Sequence, residues 1–116
     1  MPEGGRVEFR LPDGAANPYL LQAAILAAGS DGIAQGLDPG EPSSLNMILE
    51  GHRVPRGTRR LPLNLLDAVR LFSQSKLYRR MLGDELVDGY AKLRMKDWND
   101  HARHLSAWER ANTLDC

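Results

Sequence analysis

The chain has 116 residues, enough for one domain with a real core. Fifteen acidic and fifteen basic side chains cancel, so no bulk charge draws it to nucleic acid or to an anionic membrane. The one cysteine, Cys116, excludes an internal disulfide and a cysteine metal cluster. No apolar run reaches the roughly 20 residues that cross a bilayer, and no basic segment precedes a hydrophobic core near the start, so a cytoplasmic protein is expected.

The first pattern in chain order is an alternation. Arg6, Glu8 and Arg10 fall on one side of a period of two, and Val7, Phe9 and Leu11 on the other, which predicts a half-buried strand. Pro12, Asp13 and Gly14 read as a turn. Asn17 then offers a side-chain acceptor at a helix N-cap, and Pro18 suits the first helical position because its missing N–H would be unpaired there anyway. A helix is predicted from residue 18 to about residue 28 or beyond, with an apolar stripe of Leu20, Leu21, Ala24, Ile25 and Ala28 and with Gly29 and Gly32 capping or kinking it.

Between residues 36 and 60, proline, glycine and serine make regular structure unexpected, and Arg53, Arg56, Arg59 and Arg60 gather in this loop. Helices are predicted for the rest. Asn64 with Asp67 caps one, Ser75 caps a short one that Gly83 ends, and Asp84 is expected to cap a long one from residue 85 to about 112. The apolar face of that last helix is expected to be Leu86, Tyr90, Leu93, Trp98, His101 or Ala102, Leu105 and Trp108.

Three clusters could carry chemistry. On a strand, Arg6, Glu8 and Arg10 would stand about 6.5–7 Å apart on one face. A carboxylate between two guanidinium groups suits phosphate and a divalent cation: the carboxylate is a hard oxygen ligand, and arginine grips phosphate or carboxylate bidentately. Spacing alone fits a solvated, ion-paired strand face better. His101 and His104 have the spacing of a shared metal, but no third ligand follows, and solvated helix-surface histidines fit better. The arginine loop lacks aromatic platforms for bases, and a solvated loop is the simpler reading. Trp98 and Trp108 read as core or interface anchors.

The run "RVEFRLPDGAANPYLLQAAILAAGSDGI" resembles the C-terminal part of the catalytic domain of glutamine synthetases. Those enzymes carry an Arg-x-Glu-x-Arg-x-Pro-Asp strand, then Ala-Asn-Pro-Tyr-Leu, then an alanine-rich helix ending in Ala-Gly-x-Asp-Gly-Ile. Here these are Arg6, Glu8, Arg10, Pro12 and Asp13, then Ala16 to Leu20, then Ala28, Gly29, Asp31, Gly32 and Ile33. "LDPGEP" resembles the following Pro-Gly-Glu loop, the later helices match more loosely, and "WERANTLDC" is similar to the type III branch or to glutamate–methylamine ligases.

The resemblance implies an α+β catalytic domain, of which residues 1–116 form a mostly α-helical C-terminal fragment with one N-terminal strand from its sheet. It implies a ligase that phosphorylates glutamate with ATP and joins ammonia or a small amine to γ-glutamyl phosphate, with Mg²⁺ or Mn²⁺. Glu8 would be a metal ligand. Arg10 would be catalytic and bind glutamate and the transferring phosphate, and Arg6 would lie by the ATP phosphates. The other metal ligands, the ammonia-site acid and most of the ATP pocket belong to an N-terminal part of the enzyme that this chain lacks. A homo-oligomer would be expected of the full-length enzyme, and neither nucleic acid nor membrane as a partner. The fragment alone is expected to be inactive, and the alternative is a non-enzymatic helical remnant or assembly module. Ile48 stands near the place where some bacterial members carry an adenylylated tyrosine, so that control is not expected.

Overall fold

A computed structural model describes residues 5 and 8–113. The described residues are mostly helical, in two compact units, residues 1–37 and 38–116.

The first unit is a lead-in, a turn and a helix. Arg6 and Val7 of the expected strand lie outside the described residues, and residues 8–11 pair with no second strand. A strand needs a neighbouring ladder for its backbone donors and acceptors, and no described residue supplies one. The turn forms where expected: the Asp13 carboxylate accepts the Ala15 N–H at 2.8 Å and its carbonyl accepts the Ala16 N–H at 3.0 Å. Helix α1 then spans Pro18–Ala34, with Asn17 Oδ1 accepting the N–H groups of Tyr19 and Leu20 at 3.0 and 3.1 Å.

Neither Gly29 nor Gly32 ends α1, which runs through both. Its end is set further on, where Gly36 at φ +60° donates to the Ile33 carbonyl at 3.1 Å and Leu37 to the Gly32 carbonyl at 2.9 Å. That double reversal needs the left-handed conformation which glycine adopts without a Cβ clash.

The second unit starts in the long loop. One turn of helix, α2 (Met47–Glu50), and a 3₁₀ turn (Gly51–Arg53) interrupt the expected irregular stretch. The cause is local: Asn46 Oδ1 accepts from Ile48 and Leu49, and the Glu50 carboxylate reaches back to the Asn46 N–H at 3.1 Å.

Helices α3 (Leu65–Gln74), α4 (Lys76–Leu82) and α5 (Asp84–Ala102) pack together, α5 against both others. The caps at Asn64 and Ser75 form as expected, accepting the N–H of Asp67 at 2.9 Å and of Tyr78 at 3.3 Å. Gly83 closes α4 at φ +87°. Asp84 is not a cap. It is the first residue of α5, and its carboxylate takes Arg79 Nη1 at 2.8 Å. The small core is Val69 from α3 and Val87 from α5, flanked by Phe72 with its ring centroid 5.5 Å from Tyr78 and 5.7 Å, edge-on, from Tyr90.

Two expectations for α5 need correction. Its inward face runs through Val87, Tyr90, Ala91, Arg94 and Trp98, while Leu86 and Leu93 are exposed. Positions 87, 90, 91, 94 and 98 keep the helical period against α3 and α4. The helix also stops at Ala102, and α6 (Ala107–Thr113) is separate. Ser106 Oγ accepts the Glu109 N–H at 3.1 Å and the Glu109 carboxylate accepts the Ser106 N–H at 2.7 Å, a reciprocal cap that starts a new helix. Trp108 stays exposed and builds no core.

Arg79 ties this unit together. Its Nε donates to the Ser73 carbonyl at 2.9 Å, and its two terminal nitrogens donate to Asp84 at 2.8 Å and Asp88 at 2.7 Å. The hydrogen bond from Arg79 holds the Asp88 carboxyl below its ordinary range.

Val87→Ala should lower the unit's stability by about 2–3 kcal/mol, from two lost methyl groups and the space they leave, read as a lower urea midpoint at unchanged slope. Because Asp88 is depressed in the folded state, its contribution is present above the ordinary aspartate range and is lost as pH falls through the lowered value. Asp88→Asn should flatten the acid limb of a pH–stability profile and leave other parts of it intact.

Candidate functional site

The Arg-x-Glu-x-Arg run enters the described structure at Glu8. Arg10 Nε donates to Glu8 Oε1 at 2.7 Å, so the i, i+2 spacing does put the two charges on one side of the backbone. Both side chains are exposed, at 82% for Arg10 and 72% for Glu8. Such a pair is held weakly and its members can be exchanged for a ligand's oxygens at little cost. The pairing uses one edge of the guanidinium; its terminal nitrogens have no partner among the described residues. A guanidinium with a free edge is a ready bidentate donor to phosphate or carboxylate. Arg6 lies outside the described residues.

The elements after the pair fix where it leads. Pro12 and the Asp13 turn carry the chain from Arg10 into the Asn17 cap, so the two charges precede the N-terminus of α1 by a short, hydrogen-bonded connection. Asp13 spends its carboxylate on the Ala15 N–H, a backbone role.

The remaining clusters are placed as follows. His101 closes the last turn of α5, its ring 6.3 Å from Trp98, while His104 lies beyond the cap and donates its backbone N–H to the His101 carbonyl at 3.0 Å. Arg53 is ion-paired with Glu50, while Arg56, Arg59 and Arg60 lie in the exposed loop. Among the described residues no three His, Cys, Asp or Glu side chains converge on a metal-sized space. The spread of Arg79 over three helices was not visible in the sequence, since its partners Ser73 and Asp88 are six residues before it and nine after it.

The comparisons name the family: the chain belongs to the glutamine synthetase catalytic-domain family, whose model matches residues 1–113. It is 49% identical over 115 residues to a glutamine synthetase of Rhizobium leguminosarum, covering 99% of this chain and 26% of that protein. It is 39% identical over 114 residues to a glutamate–methylamine ligase of Methyloversatilis universalis, covering 97% of this chain and 26% of that protein. A glutamine synthetase of Methanosarcina mazei is 35% identical over 113 residues, 96% of this chain and 25% of its own length. The chain thus spans about a quarter of the length of these relatives. No solved structure matches it. Among the described residues no helix is long and apolar enough to cross a membrane.

Glu8→Gln should weaken the hold on Arg10 without unfolding α1, whose cap and turn do not use Glu8. The check is the Arg10 Nε–H resonance, which should exchange faster with water in the variant while α1 amide protection stays unchanged.

Proposed function

We propose that residues 1–116 are the C-terminal part of the catalytic domain of an ATP-dependent glutamate–amine ligase. The observation that carries this is the exposed Glu8–Arg10 pair, whose guanidinium has a further edge unpaired among the described residues, in a chain of this family. In this reading residues 6–11 become a strand of the α+β catalytic sheet once neighbouring strands of the longer domain pair with them. The enzyme is cytoplasmic and a homo-oligomer.

The reaction is phosphoryl transfer followed by acyl transfer. A γ-carboxylate oxygen of glutamate attacks the terminal phosphorus of ATP and ADP leaves. Ammonia or methylamine then attacks the acyl carbon of γ-glutamyl phosphate, releasing phosphate and a proton. Both steps gather negative charge on oxygens, so catalysis is chiefly positioning and neutralisation. Arg10 turns its free edge to the glutamate carboxylate and the transferring phosphoryl group, and Arg6 stands by the ATP phosphates.

The described residues do not by themselves fit a divalent ion, because Glu8 offers one carboxylate and no second ligand joins it. Its part as a ligand of Mg²⁺ or Mn²⁺ depends on donors from the remainder of the domain. The chain alone should therefore be inactive.

The test is a chimaera in which this chain replaces the matching quarter of the Rhizobium leguminosarum glutamine synthetase, assayed for ADP release with glutamate plus ammonia or methylamine. The chimaera should turn over. Glu8→Ala should abolish turnover, and Arg10→Ala should lower kcat by about 10²–10³-fold, as for other preorganised oxyanion donors. A folded chimaera that releases no ADP with either amine would remove the assignment, as would comparable turnover by residues 1–116 alone.

A further inference from the structure

Charge is unevenly placed along this chain. All fifteen acidic side chains lie outside residues 51–66, a segment that holds Arg53, Arg56, Arg59 and Arg60. Acidic and basic residues balance over the whole chain, so this segment is a local excess of positive charge in a neutral protein.

The structure sorts the four arginines into two kinds. Arg53 donates from Nη1 to Glu50 Oε1, and the other oxygen of that carboxylate accepts the Asn46 N–H at 3.1 Å. Arg56, Arg59 and Arg60 are exposed and meet no carboxylate among the described residues. A turn gathers them. The Thr58 N–H and hydroxyl both donate to the Pro55 carbonyl, at 3.2 and 2.9 Å, and Gly57 takes the third turn position at φ +94°. Arg56 is therefore at the corner, and Arg59 and Arg60 follow its close. Backbone length keeps Arg56 within roughly 14 Å of Arg60, and the turn shortens that.

Three guanidinium groups so close repel one another, and an anion relieves the repulsion. A layer of protein without carboxylates would cover them only at a heavy desolvation cost, so the patch is suited to water and to anions. No aromatic side chain lies in residues 51–66, so nothing there stacks a base or anchors an aromatic ring. Recognition rests on charge and on forked N–H donors. The compact ligand that brings several charges and many acceptor oxygens is a run of linked phosphate groups.

We propose that the Arg56–Arg59–Arg60 turn is a second anion site, separate in the chain from Glu8 and Arg10, and that its ligand is a linear chain of phosphate groups bound without recognition of a base. Glu50 is its internal competitor, because it holds Arg53 back from the patch. The proposal goes beyond the ligase reading and does not rest on it.

The probe is tripolyphosphate, titrated into residues 1–116 and into the Rhizobium leguminosarum chimaera, with orthophosphate, ATP and poly-glutamate for comparison. In the chain of 116 residues tripolyphosphate should shift the amide resonances of residues 51–60, bind at least about tenfold tighter than orthophosphate, and weaken as salt is raised. ATP carries the same three phosphates and should bind no tighter than tripolyphosphate. The joint change Arg59→Gln and Arg60→Gln should lower the affinity about tenfold, from two lost charged contacts, with α5 amide protection unchanged. Glu50→Gln should raise the affinity by freeing Arg53. Calorimetry on the chimaera should find the same tripolyphosphate site and lose it in the double variant. Unmoved resonances, orthophosphate binding as tightly, or a folded double variant that binds like the wild type would each overturn the proposal. Tighter binding of ATP would make this a nucleotide site, and tighter binding of poly-glutamate a site for an acidic protein, and either overturns it. So would a site present in the chain of 116 residues and lost in the chimaera, which would mean that carboxylates of the larger domain close the loop. Ligase turnover is not among the readouts, so failure here leaves the functional reading standing.

Discussion

One guanidinium joins the three packed helices of the helical unit. Arg79 sits on α4, the shortest of the three packed helices, and holds the end of α3 through the Ser73 carbonyl and the start of α5 through Asp84 and Asp88. Asp84 also stands in the first turn of α5, where negative charge is favoured by the helix dipole. Arginine suits this place because its planar fork can meet three acceptors at fixed angles, and a lysine has no such fork. Among the described residues of this unit Val69 and Val87 are the buried apolar side chains, and the Arg79 contacts add a polar tie between the same helices.

The packed helices and the residues proposed for chemistry are separated along the chain. The packed helices, their aromatic contacts and the Arg79 network occupy residues 65–102, whereas the charges read as functional precede α1 in the other unit. A site on an exposed, lightly held edge can exchange its internal ion pair for substrate oxygens. A site locked into a buried network would have to break that network first. The Glu8–Arg10 pair is exposed, which suits the role proposed for it.

The exposed apolar side chains have the same logic. Leu26 and Ile33 on α1, Ile48 on α2 and Trp108 on α6 are far from covered, although each lies on or beside a well-capped helix. Local hydrogen bonding has formed these helices without burying them. Caps fix where a helix begins, and burial fixes what it packs against.

That division also separates what could be read from the sequence. Asn17, Asn64 and Ser75 as caps, the Asp13 turn and Gly83 as a helix end were legible, because each acts on a backbone group within a few residues. The Ser106–Glu109 reciprocal cap has the same range and was legible in principle, yet the apolar run through Leu105 and Trp108 concealed it as a continuous helix. The pairing of Glu8 with Arg10 followed from spacing, but the role proposed for it rests on the longer family pattern. Tertiary structure alone decided the rest: that Val87 rather than Leu86 faces inward, that Arg79 reaches Asp88, and that Phe72 meets Tyr90 edge-on. Those facts depend on the angle at which one helix crosses another. That angle is set by side chains far apart in the chain, so no short window of sequence contains it.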